Sequence, residues 1–138
     1  MPYVDGFIVA VPKKKLAVYA ALSKKCGKIW REYGALDYRE WVADDVKVGK
    51  LTSFPRSVKL KPGETVVFAW ITYKSRAQRD KINAKVMADP RLKSMMDQKS
   101  PPPFDSKRSR GRLAWAQWVD TRGAAARLTT CALRSSTP

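Results

Sequence analysis

Residues Glu64–Tyr73 read ETVVFAWITY, a run of β-branched and aromatic side chains that is apolar at odd and even positions alike. A strand of that composition is covered on both faces, so it belongs in the middle of a sheet. Pro62-Gly63 precedes it and suits a type II turn, where Gly accepts the positive φ of the third position. Ser75 and Gln78 follow it in capping-box spacing. They open a predicted helix that carries Ala77, Ile82, Val86 and Met87 and ends at Pro90. A short second turn is expected at Leu92 to Met96, and residues 99–105, KSPPPFD, break the chain.

Upstream, Tyr3 to Val11 reads as a strand by its two-residue alternation. Pro12 suits the first turn of a helix. From Lys13 to Tyr33 the apolar positions Leu16, Tyr19, Leu22, Cys26, Ile29 and Tyr33 recur at steps of three and four, which is one helix face. Gly34 terminates it. Leu36 to Val42 alternates as a second strand, closed by Asp44 and Asp45. A loop runs from Asp45 to Gly63, with a short extended piece expected around Val58. A fourth strand is expected within Arg112 to Val119. The order is β-α-β-β-α-β, which sets both helices on one face of an antiparallel sheet. On the other face Phe68 and Trp70 stand together, with Phe7 expected beside them. Several exposed aromatics on one patch mark an interaction surface, and burying each contributes roughly 1.5–3 kcal/mol. A second copy of the sheet, a ligand or stacked bases would cover them. The first of these makes an α+β homodimer with the sheets face to face.

Composition removes several functions. The chain of 138 residues has no histidine, so Ser-His-Asp and Cys-His nucleophile systems are excluded, and acid–base chemistry falls to Asp, Glu, Tyr or Lys. Its two cysteines, Cys26 and Cys131, form no CxxC pair, and neither a metal site nor a disulfide framework is expected. Cys26 reads as core. No residue pattern calls for a cofactor. No apolar run reaches the ~18 residues of a membrane span, and the first apolar run is followed rather than preceded by lysines, the reverse of a secretory signal. A cytoplasmic location is expected. The formal charge of +16 is spread out, +6 in residues 106–138 and +10 in the rest. That distribution favours non-specific over sequence-specific contact with nucleic acid.

Five segments, YVDGFIVAVPKKKL (3–16), KIWREYGALDYREWVADD (28–45), GKLTSFPRSVKLKPGETVVFAWITYKSRAQRD (49–80), NAKVMADPRL (83–92) and PFDSKR (103–108), together resemble the YbaA-like family of bacterial proteins of unknown function. The resemblance covers about residues 2–108. It implies a ferredoxin-like subunit of the dimeric α+β barrel superfamily and no established activity. Residues 1–105 form the expected domain. Gln78 stands where relatives often carry His. Residues 106–138 form an atypical basic segment, because relatives continue with an apolar, Gly-containing strand where this chain turns to Arg, Ala, Ser and Thr.

Three groups of residues could carry function. The first is the sheet face assigned Asp5, Phe7, Phe68 and Trp70. In barrels of the resembled superfamily that face lines a cavity, where some members oxidise aromatic or quinone-like substrates without a bound metal. Asp5, Glu40 and Tyr73 are the candidate catalytic groups for such an enzyme, since an acid beside aromatics can have a raised pKa. The plain alternative is a dimer core with the acids paired at its rim. The second is the long loop, made basic by Lys47, Lys50, Arg56, Lys59 and Lys61 and suited to an anionic ligand, or simply solvated. The third is an RNA platform, since Phe68 to Tyr73 loosely fits the aromatic half of a third-strand RNA motif; Val66 and Val67 stand where that motif has a basic residue and Gly. Arg76, Arg79 and Asp80 read as a surface or interface charge cluster.

The composition of residues 106–138, rich in Arg, Ala, Ser and Thr, looks like that of a GC-rich gene translated in a shifted frame, which is a hypothesis. Reading the gene in its other two frames should recover an apolar, Gly-containing strand after PFDSKR; if neither frame does, the tail is the chain's own.

Overall fold

The computed structural model describes residues 2–97 and 101–116. The decisive run forms a strand with the expected bounds, β3 (Glu64–Tyr73). On one side it pairs antiparallel with β1 (Tyr3–Pro12) along its whole length, from Tyr3↔Tyr73 to Pro12↔Glu64. On the other it pairs antiparallel with β2 (Asp37–Val42), from Asp37↔Thr72 to Val42↔Val67. These three strands are the antiparallel sheet of an α+β fold. Arg110–Ala116 forms β4 and pairs antiparallel with the free side of β1, giving the order β2-β3-β1-β4. The strand begins two residues before the expected span, 112–119, and the last residues of that span, like the rest of the tail, lie outside the described residues.

The helices α1 (Leu16–Glu32) and α3 (Arg76–Ala88) cover one face. One apolar cluster gathers Ile29, Ile71, Tyr73, Ile82 and Val86; its neighbour gathers Val9, Val11, Tyr19 and Val67. Cys26 packs against the first. Ser75 caps α3 by accepting a hydrogen bond from Gln78 N (3.2 Å). Pro90 opens the next helix, α4 (Pro90–Met96), as well as closing the last one. Asp89 makes that junction: its carboxylate accepts from Arg91 N (2.7 Å) and from the Tyr33 hydroxyl (2.8 Å). The Arg91 guanidinium, with the Tyr33 bond, holds the Asp89 carboxyl well below the usual carboxylate range. No helix among the described residues is long and apolar enough to cross a membrane.

Two local expectations change. Pro12 is the last residue of β1, and a 3-10 turn at Lys13–Lys15 separates it from α1. Lys13 N donates to Gly63 O (2.8 Å), which ties the chain to the turn before β3 and holds Pro12 extended. The long loop is not structureless, and Val58 is not in an extended piece. Ser53 accepts from Arg56 N (3.2 Å) and caps a helical turn, α2 (Phe54–Ser57), with Pro55 in its first turn. The fully buried Val58 then packs on Ile8, Ala10 and Val66, on the sheet face away from α1 and α3.

Helix α1 lies so close to the sheet that a Cβ at Gly27 would come within 2.8 Å of the Tyr38 ring. Gly27→Ala therefore sets a helix-propensity gain of about 1 kcal/mol against an overpacking cost of about 1–3 kcal/mol. The contact is with ring carbons near the base of a side chain anchored at its hydroxyl, so the clash dominates. Urea unfolding should show the variant less stable than the parent.

Candidate functional site

Directly paired residues of an antiparallel sheet share a face, and successive residues alternate between faces. Asp5 pairs with Ile71 and Phe7 with Ala69, whereas Trp70 pairs with Gly6 and Phe68 with Ile8. The face expected to hold Asp5, Phe7, Phe68 and Trp70 together is therefore split. Asp5, Phe7 and Tyr73 lie under the helices. Glu40 joins them, because it pairs with Ala69. Phe68 and Trp70 lie on the opposite side.

That opposite side carries a row of four aromatic rings. Phe54 stacks on Phe68 (centroids 5.8 Å, planes at 12°), Phe68 meets Trp70 (5.5 Å), and Trp70 stacks on Trp41 (5.8 Å, 27°). Trp41 is 52% exposed, Phe54 47% and Phe68 38%, so the row is open to solvent despite its apolar character. Trp41 was legible in principle, since the alternation of β2 sets it opposite to Tyr38 and Glu40. Phe54 was not, because only the capped turn of the loop delivers it to this face.

Under the helices the acids are engaged. Asp5 is fully buried and accepts from Arg79 Nη1 (3.3 Å) and Asn83 Nδ2 (3.4 Å). Asn83 Oδ1 in turn accepts from the Tyr73 hydroxyl (3.1 Å) and from Trp30 Nε1 (3.0 Å). The Arg79 guanidinium lies 4.9 Å from the Tyr3 ring centroid. Arg79, expected in a surface or interface charge cluster, is thus part of a buried polar network, although Asp80 reaches its Nε at 2.9 Å from the rim. Burial, reinforced by the Asp5 charge, pushes the Tyr73 hydroxyl up.

Glu40 sits apart from this network in a cleft of about 240 Å³ between α1 and β2. Its Oε2 accepts from the Tyr19 hydroxyl (2.5 Å), and its Oε1 accepts from Ser23 Oγ (2.5 Å) and the Tyr38 hydroxyl (3.0 Å). Burial first, and then the Glu40 charge, raises both tyrosine hydroxyls and pushes the Cys26 thiol up to about 11. Tyr19 and Ser23 are four apart on α1 and so share a face. That spacing was visible in the sequence, but not its convergence on Glu40.

The basic loop is partly self-occupied. Lys47, Lys50, Arg56, Lys59 and Lys61 are all exposed, but Arg56 Nε donates to the carbonyls of Gly49 (3.0 Å) and Val48 (3.3 Å) and so folds the loop on itself. Arg108 fastens the far end. It donates to both oxygens of Glu64 (2.6 and 2.8 Å), to Asp105 (2.8 Å) and to Lys59 O (3.0 Å).

Fold and site thus define an α+β protein with a polar network beneath its helices and an aromatic row on the sheet face away from α1 and α3. The chain belongs to the family described as "Protein of unknown function (DUF1428)", which matches residues 2–106. It is 45% identical over 108 residues to "Uncharacterized protein YbaA" of Escherichia coli strain K12, covering 78% of this chain and 90% of that protein. The YbaA of Shigella flexneri matches with the same identity and coverage. Among solved structures, the "De novo designed protein Foldit4" aligns with a TM-score of 0.41 at 11% identity, covering 85% of this chain and 99% of that one. The resemblance read from the sequence is borne out.

The Arg108 hydrogen bonds hold the Glu64 carboxyl below its ordinary value of 4.5. A carboxyl whose pKa is lower in the folded than in the unfolded chain stabilises the fold above the unfolded value and loses that contribution as pH falls. Stability should drop as pH goes below about 4.5, and Glu64→Gln should flatten that acid limb. Equal acid limbs for parent and variant in urea melts would refute the coupling.

Proposed function

We propose that this protein is a homodimeric barrel-type binding protein. Two ferredoxin-like subunits pair the sheet faces that carry the aromatic row, and the row lines the interior, which takes a planar apolar ligand. The observation that carries this reading is the row Phe54–Phe68–Trp70–Trp41 itself. It lies on the sheet face without α1 and α3, and three of its four rings are more than a third exposed. Leaving those rings in water forgoes roughly 1.5–3 kcal/mol for each that a partner or ligand could bury. Flat stacked rings also match a flat ligand in offset or edge-on contact. Family membership adds no activity, since the relatives named above are themselves uncharacterised.

The placement of the acids weighs against a cofactor-independent oxidase in the same interior. Asp5, Glu40 and Tyr73 point away from the aromatic row, so none can serve as its base. Of the strand acids on the row's own side, Asp37 is paired with Arg39 at 2.7 Å and Glu64 with Arg108 at 2.6 Å. Bases stacking on the row would give an RNA-binding reading, and the charge of +16 would strengthen it only electrostatically.

Sedimentation should give a particle of twice 15.6 kDa, and Trp70→Lys should shift it to the monomer with its circular dichroism retained. A monomeric parent would overturn the barrel. RNA affinity that persists at moderate salt would then move the aromatic row to the nucleic-acid reading.

A further inference from the structure

The cleft between α1 and β2 contains charges of both signs that do not meet. Glu40 lies half-buried among its lining residues, and Lys24 and Arg31 line it from the exposed side of α1. Among the described residues, none of the three takes part in an ion pair. Arg31 commits only its Nε, to Gly27 O (3.2 Å). The Glu40 carboxylate is held in place by the hydroxyls of Tyr19, Ser23 and Tyr38. A carboxylate has about four acceptor positions; these hydroxyls take three, and one on Oε2 remains. The hydroxyls orient the carboxylate without neutralising it. Leu16, Ala20, Val42 and Val67 supply the apolar wall between the charges.

We propose that this cleft binds a small zwitterion, with a protonated amine on Glu40 and a carboxylate toward Lys24 and Arg31. A bare amine would meet the two cations at the mouth, and a bare carboxylate would meet Glu40. A molecule with both groups satisfies both ends, and a short methylene chain between them packs on the apolar wall. The volume of about 240 Å³ falls below the ~300–1,000 Å³ of pockets for drug-sized ligands, which limits the occupant to metabolite size. The site lies under the helices, on the opposite side of the sheet from the aromatic row, and does not depend on the dimer.

The test is a titration of the isotope-labelled full chain, followed by amide NMR. The probes are the straight-chain ω-amino acids from glycine to aminohexanoate, with butylamine and butyrate as single-charge probes. At least one amino acid should give saturable shifts in residues 16–31 and 37–42, binding about tenfold or more tightly than either single-charge probe, the factor expected for one charged hydrogen bond. Glu40→Gln and the exposed double variant Lys24→Ala/Arg31→Ala should each weaken binding by about tenfold or more. Absence of saturable shifts at tens of millimolar, or butylamine binding as tightly as every amino acid, overturns the proposal. So does a folded double variant with parental affinity, which keeps the test decisive should Glu40→Gln fail to fold. Because Trp70→Lys acts on the other face, it should leave this binding unchanged, and a failed barrel is thereby distinguished from a failed cleft.

Discussion

The register of β1 on β3 is the constraint on which the rest depends. Ten consecutive residues pair without interruption, and that pairing decides which side chains meet the helices. A slip of one residue would turn every β1 side chain to the other face, carrying Asp5 out of the core and away from Arg79. The polar network resists that slip. Removing one partner from a buried ion pair costs roughly 3–5 kcal/mol, and Asp5 is engaged by Arg79 and Asn83 from α3 together. Register and network therefore hold each other. The aromatic row on the far side follows from the same parity, because Phe68 and Trp70 take whichever face Asp5 does not.

Much of this fold was legible. Glu64–Tyr73 announces a central strand by being apolar throughout, and α1 announces its buried face by period. The parity of β1 relative to β3 was not legible. Each strand alternates clearly, yet β3 is apolar on both faces and so gives no sign of which of its faces joins Asp5 and Phe7. Only the hydrogen-bond register answers that, and it is a property of the pair. Loop 45–63 failed for another reason. Its Ser53-Phe54-Pro55 segment is a helix start with its cap and its early proline, but the turn is four residues long, too short for a helical period to show.

The same parity explains why the candidate residues separate into two chemistries. Glu40 and Trp41 are neighbours in sequence and face opposite sides of β2. One lies at the floor of a polar cleft under α1; the other ends the aromatic row. A strand apolar on both faces lets both environments exist back to back, because β3 insulates the buried carboxylates from the aromatic side. Isolation of that kind keeps Glu40 available for a charged partner while the row stays available for an apolar one. Had Asp5 and Glu40 shared the aromatic face, burying it against a second sheet would have required desolvating both acids, a cost of several kcal/mol per charge.

The position of β4 follows from the exposed side of β1 rather than from its own letters. A strand pairs through backbone N–H and C=O groups, which every residue but proline supplies in full, and an unpaired strand side is a template for whatever extended segment lies near it. The family match ends at residue 106, yet Arg110–Ala116 still pairs beside β1, with an irregularity between Gly6 and Ile8. What delivers the segment there is Arg108, the last residue of PFDSKR, through its grip on Glu64 at the start of β3 and on the Lys59 carbonyl. The chain is therefore steered to the sheet by a side chain two residues past the end of the family match, and the backbone completes the pairing. The apolar clusters under the helices draw on β1, β2 and β3 with α1, α3 and α4, all within the part of the chain that matches its family.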